Sequence, residues 1–148
     1  MSSIVCAVRG GPESENTIKT ALSLAREKGL PLHFLYVVNL DFLSNVTGGH
    51  VQTVSKEMRE LGKFILEMAV TQAEEVGVQA ISHIRQGKVH LQLINLCQEL
   101  RTGYVVLGKT RQRGEGLRQP RRFVRTYGET IKAETGAEVV VASEGDEA

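Results

Sequence analysis

Residues 104–126 read Tyr-Val-Val-Leu-Gly-Lys-Thr-Arg-Gln-Arg-Gly-Glu-Gly-Leu-Arg-Gln-Pro-Arg-Arg-Phe-Val-Arg-Thr. An apolar strand, Tyr104–Gly108, empties into a glycine-containing basic loop. The loop feeds a last helix whose start the sequence places at Arg125-Thr126. In an open α/β sheet, ligands sit outside the carboxyl ends of the strands, near helix N-termini with free N–H groups. Charge is concentrated in this stretch. Lys109, Arg111, Arg113, Arg118, Arg121, Arg122 and Arg125 face only Glu115, while the whole chain carries +1. The rest of the chain is therefore acidic on balance, and that asymmetry is the main functional clue.

A chain of 148 residues is most simply one domain with a proper core. Hydrophobic content of 41% and charged content of 24% are ordinary for a soluble globular protein. No apolar run approaches the roughly 20 residues of a membrane span. The start, Met-Ser-Ser-Ile-Val-Cys-Ala-Val, lacks a basic leader and goes directly into a strand-like run. Cys6 and Cys97 lie in apolar elements without CxxC spacing, as expected of buried reduced thiols in a cytoplasmic protein. The acidic end, residues 144–148, reads as a short tail after a domain spanning 1–143.

Working outward, Ile4–Val8 is a non-alternating apolar run, expected of a strand buried on both faces. Pro12 suits a first helical position. Ile18, Ala21, Leu22 and Ala25 share one helical face, and Gly29 ends that helix. Pro31–Val38 is the second strand. Asn39–Thr53, with Gly48-Gly49-His50 at its centre, reads as a mobile flap. Val54, Met58, Leu61, Ile65, Met68, Ala69, Ala73 and Val76 form one stripe on a helix of about 23 residues. Val78–Ile84 alternates as a strand near an edge does. Val89, Leu93, Ile94, Leu96, Cys97 and Leu100 make a helical face that Thr102-Gly103 closes. Thr126-Tyr127-Gly128-Glu129 matches a capping box opening a short helix, with Tyr127, Ile131 and Thr135 facing inward. Gly136 ends it before the fifth strand, Glu138–Ala142. The strict β-α-β-α-β-α-β-α-β order predicts a single three-layer α/β/α domain around a five-stranded parallel sheet. The winding must reverse somewhere, and spacing alone does not locate where.

These segments resemble the universal stress protein (UspA-like) family over essentially the whole chain. Ile4-Val5-Cys6-Ala7-Val8 with Gly10 and Ser14 resembles its first strand and turn. Leu35-Tyr36-Val37-Val38-Asn39 resembles its second strand. Gly87 matches the glycine after the third, Val105-Val106-Leu107-Gly108 the fourth, and Ala137–Ala142 the closing strand. The resemblance implies the sheet order 3-2-1-4-5 of that family, an adenine nucleotide alpha hydrolase-like arrangement. It also implies a homodimer joined through the fifth strands, and ATP or AMP held at the gap between strands one and four.

The departures bear on that site. ATP-binding members carry Asp at the end of strand one, where this chain has Arg9. They carry Gly-x2-Gly-x9-Gly-Ser/Thr after strand four. Here Gly108 serves as the first glycine, Arg111 replaces the second, and Arg125-Thr126 falls on the terminal Gly-Ser. Glycines let backbone N–H groups approach phosphate, whereas arginines grip it through bidentate forks. On the resemblance, Ala7, Val8, Arg9, Gly10 and Val37 would line base and ribose. Leu107, Gly108, Lys109, Arg111, Gly114, Gly116, Arg125 and Thr126 would hold phosphate or another anion.

Other motifs carry less. Residues 103–110 fit the P-loop pattern GxxxxGK[ST], but the four middle residues read as a strand and cannot wrap a phosphate. The arginine cluster reads as a solvated loop, an anion clamp or a patch for acidic partners. Its few aromatics and the near-neutral whole chain argue against nucleic acid. His33, His50, His83 and His90 lack metal-ligand spacing, and no acid–base pair stands near the basic loop. The expectation is a cytoplasmic stress-response binding protein, not an enzyme, that holds an adenine nucleotide or other phosphorylated ligand. The alternative is a homodimeric interaction module without nucleotide.

Overall fold

A computed structural model describes residues 2–9, 12–40, 49–108 and 121–142, with side chains at 12–13, 49–50 and 121–127 left aside. Five strands and four helices alternate: β1 (Ile4–Ala7), α1 (Pro12–Lys28), β2 (Leu32–Val38), α2 (Gly49–Glu75), β3 (Ala80–Gln86), α3 (Val89–Leu100), β4 (Tyr104–Leu107), α4 (Arg121–Thr135) and β5 (Glu138–Val141). All pairings are parallel, and the sheet order is β3-β2-β1-β4-β5. The winding reverses between β1 and β4. Right-handed crossovers then place α1 and α2 on one face and α3 and α4 on the other.

Period-two alternation divides the core between the two faces. Ile4, Cys6 and Val8 join Leu32, Phe34, Tyr36 and Val38 under α1 and α2. Val5, Leu35, Val105 and Leu107 join Leu93, Leu96, Cys97 and Ile131 under α3 and α4. The α1 face, Ile18, Ala21, Leu22 and Ala25, is buried as its spacing predicts. Gly29 and Gly136 close α1 and α4 at φ of 67° and 77°, a conformation that costs a glycine little.

Helix α2 differs from its sequence reading in two ways. It begins at Gly49 rather than Val54 and runs 27 residues. It therefore absorbs Gly49–Thr53 of the expected flap, and residues 41–48 lie outside the described residues. Its buried face is Gly62, Leu66, Ala69 and Ala73, with Met58 and Ile65 alongside. Leu61, Phe64 and Met68 remain 53%, 59% and 50% exposed. Leu61, Met68 and Val76 are thus not core positions. Gly62 sets the phase instead, because it brings the helix onto the Tyr36 ring.

Helix α4 also starts early. It opens at Arg121, so Thr126 and Glu129 stand within the helix and the capping-box reading fails. The orphan N–H groups belong to the turn at 121–124. Helix α3 ends in a left-handed residue at Arg101, φ 54°, one position before the expected Thr102-Gly103 stop. β3 lies at one edge of the sheet and β5 at the other. The first carries Ala80 and Ile84 toward the core beneath α2, and extends to Gln86. No helix among the described residues is long and apolar enough to cross a membrane.

Candidate functional site

The candidate site lies at the carboxyl ends of β1 and β4, where the winding reverses. Ile4, Val5 and Cys6 pair with Tyr104, Val105 and Val106, so Ala7–Arg9 and Leu107–Gly108 leave the sheet side by side. Val8 N–H donates to the Leu35 carbonyl at 2.9 Å, which holds the β1 end against β2 beyond the strand proper. Arg9 N–H donates to Ser14 Oγ at 3.3 Å. Ser14 is buried in the first turn of α1, so the end of β1 is tied to that helix. Such a topological switch point is where open α/β sheets hold ligands.

Gly108 is fixed by close approach. A Cβ there would lie 2.7 Å from Thr17 Oγ1, well inside carbon–oxygen contact. Thr17 is itself buried, and its carbonyl accepts from Cys6 Sγ at 3.9 Å. The glycine therefore lets β4 leave the sheet directly over α1. That packing requirement stands independently of any ligand.

The structure brings together part of the predicted set. Ala7 and Val37 are half-buried and pack against the α3/α4 side of the core, which also holds Leu107. Val8 is buried on the opposite face and presents no side chain to that side. Arg9 is exposed and Gly108 half-buried. Gly10, Lys109, Arg111, Gly114 and Gly116 lie outside the described residues. Arg125 and Thr126 fall in the second turn of α4, not at its first residues. A phosphate on that helix dipole would meet the Arg121 end instead. The four middle residues of the P-loop pattern are β4, paired on both sides, so they form no phosphate-wrapping loop.

Sequence reasoning missed one polar constellation. His33 Nδ1 and His83 Nε2 lie 2.9 Å apart, joining β2 to the edge strand β3. The rings are tilted by 31°. Parallel register sets His83 opposite Leu35, diagonal to His33, and no spacing within one segment reveals a pair 50 residues apart. Burial lowers both imidazole pKa values, and at His83 the neighbouring His33 and Arg85 add to the effect. Arg85 in turn grips Glu99 of α3 through both nitrogens, at 3.0 and 2.7 Å. The pair stands near the amino end of β2, away from the switch point. Among the described residues no group of three or more His, Cys, Asp or Glu side chains is placed to hold a metal ion. Both cysteines are buried and free. Burial raises the Cys6 thiol far above its usual range and pushes Cys97 up to about 11 against a smaller opposing hydrogen bond from Thr102. Neither is a reactive thiolate.

Comparison with solved structures gives the same fold. A universal stress protein family member from Burkholderia pseudomallei superposes with a TM-score of 0.73 at 19% identity, covering 95% of this chain and 94% of that one. The universal stress protein from Archaeoglobus fulgidus in complex with dAMP gives 0.62 at 16% identity, covering 97% and 98%. A universal stress protein in complex with cAMP gives 0.69 at 15% identity, with the same coverage of 97% and 98%. Comparison with curated proteins returns no match. The model of the universal stress protein family matches residues 1–121. With the sheet order and the reversal between β1 and β4 already in place, that match settles the assignment: the chain belongs to the universal stress protein family.

Proposed function

We propose that this protein binds an adenine nucleotide, or a closely related phosphorylated ligand, at the carboxyl ends of β1 and β4. The observation that carries this is the reversal of winding between those strands, with Ala7, Arg9, Val37 and Gly108 at its mouth. Structural relatives hold dAMP and cAMP, so the family accommodates adenine nucleotides of different sugar chemistry. In this reading Ala7 and Val37 offer the apolar wall on which a base packs, and Gly108 lets backbone approach the phosphate. Lys109, Arg111 and the arginines that follow supply counter-charge that glycine N–H groups supply elsewhere. In this reading the protein acts in the cytoplasm as a stress-response binding protein rather than as a catalyst.

Isothermal titration with ATP, AMP and inorganic phosphate at low and high salt tests this. Base-dependent micromolar binding that persists at high salt supports it. Heat that ignores the base and vanishes with salt reduces the site to a general anion patch. No heat with any of the three overturns it.

A second reading rests on β5. This edge strand leaves Val141 46% exposed, and an unpaired apolar edge invites a second strand. On that reading the protein is a homodimeric interaction module without nucleotide, and its dimer survives when the β1/β4 cleft is blocked.

A further inference from the structure

We infer that the preferred ligand carries a phosphate on its ribose ring, at the 2′ or 3′ position, and that Arg9 reads it. This rests on the nucleotide-binding reading above and sharpens it. A ribose with free vicinal hydroxyls is best held by a group that accepts hydrogen bonds, and a carboxylate does this with two oxygens. Among the described residues, the strand ends around the cleft, Ala7–Arg9, Val37–Leu40 and Leu107–Gly108, contain no carboxylate. The charged group they do contain is the Arg9 guanidinium, exposed at the end of β1. It has five donors in a planar fork and no acceptor.

That chemistry matches an anion. In the related doubly wound folds, an acidic residue near the ribose takes the 2′-hydroxyl, while an arginine there accommodates a 2′-phosphate. Arg9 follows Val5 and Ala7 in the alternation of β1, toward the face on which Ala7 and Val37 offer their apolar surface. Its main chain is held by Ser14, so the fork projects from a fixed point. A base packed on that surface would set its ribose beside the guanidinium. A ribose-ring phosphate then gains a bidentate, charge-assisted contact that a 5′-linked phosphate cannot reach in the same pose.

The test uses isomers of like composition and closely similar charge. The full chain is titrated with adenosine 3′,5′-bisphosphate, adenosine 2′,5′-bisphosphate and 5′-ADP, with AMP as reference, at fixed ionic strength. We expect one of the two bisphosphates to bind at least tenfold more tightly than 5′-ADP, and which one identifies the ribose position. Arg9→Ala should erase that preference, Arg9→Lys should keep only part of it, and Arg9→Asp should reverse it in favour of AMP and 5′-ADP. If AMP binds but 5′-ADP matches or exceeds both bisphosphates, this inference fails and the nucleotide site stands. A bisphosphate preference that survives Arg9→Ala also overturns it, since another group then reads the phosphate. If no nucleotide binds, the proposed function fails and this inference falls with it.

Discussion

Gly62→Ala is the sharpest test of how α2 is seated. Replacing a mid-helix glycine by alanine normally stabilises a helix by about 1 kcal/mol. Here the new Cβ would stand 2.6 Å from Tyr36 Cε2 and 3.0 Å from Cγ, and closer still to Cδ2. Carbon atoms pack at about 3.5–4.0 Å, so the ring or the helix must move by about 1 Å. Tyr36 is buried beneath α2, and its Cγ sits next to the backbone of a strand paired on both sides. The ring cannot swing clear. Overpacking of this kind costs about 1–3 kcal/mol. The upper end applies here, and the net loss after the propensity gain is about 2 kcal/mol. Urea denaturation should show a lower midpoint with an unchanged slope, and the melting temperature should fall by roughly 4–8 °C for a chain of this length. In a Tyr36→Ala background the obstructing Cγ, Cδ2 and Cε2 atoms are gone, and the same Gly62→Ala change should stabilise by about 1 kcal/mol. The two sites should therefore couple by about 3 kcal/mol. A neutral or stabilising Gly62→Ala in the natural background, or additive effects, would refute this account of the α2 interface.

Other outcomes follow from particular contacts. Burial depresses both imidazoles of the His33–His83 pair in the folded state, so the unfolded chain takes up protons first as pH falls below about 6.5. Stability should be full above that value and decline as pH drops toward the lower folded values. His83→Gln should flatten the decline in urea midpoints measured from pH 7.5 to 5, and an unchanged slope would contradict the assignment. Gly108→Ala forces a methyl toward Thr17 Oγ1 and should cost about 1–3 kcal/mol; adding Thr17→Ala should recover part of the midpoint, and no recovery would place the strain elsewhere. Phe34→Ala empties a wholly buried site and should cost about 3–5 kcal/mol; a smaller shift in urea unfolding would mean the core collapses around the gap. On the β5 dimer reading, Val141→Lys should convert a dimer to a monomer in size-exclusion chromatography, and an unaltered elution volume would remove that edge from the interface.

The sheet was legible because punctuation and periodicity agreed. Gly29, Gly77 and Gly136 all take positive φ where the sequence ends a helix. Alternation in Ala80, Ser82 and Ile84 marked β3 as half-covered. The place of the winding reversal was not in the spacing, and came from the resemblance of the strand motifs. The face of α2 was partly legible: Met58, Ile65, Ala69 and Ala73 of the stripe do meet the core, but hydrophobic periodicity gives no weight to Gly62, which sits against the Tyr36 ring. Leu61 and Met68 fit the period equally well and remain exposed. The start of α4 was misplaced because Thr126 and Glu129 carry a capping pattern inside a helix already under way. Pro120, immediately before Arg121 in sequence, was the better signal, since proline is favoured at helix starts. The His33–His83 contact depends on register across two strands and on burial, and no local pattern encodes it.

The most direct test of the central claim locates the ligand. In a two-dimensional NMR titration of the isotope-labelled chain with AMP, the amide signals of Ala7, Arg9, Val37, Leu107 and Gly108 should shift together and saturate with one affinity. Ile81, at the opposite end of the sheet, and the exposed α2 positions Leu61, Phe64 and Met68 should stay still. Shifts confined to α2 or to β5, or none at saturating AMP, would contradict a nucleotide site at the ends of β1 and β4.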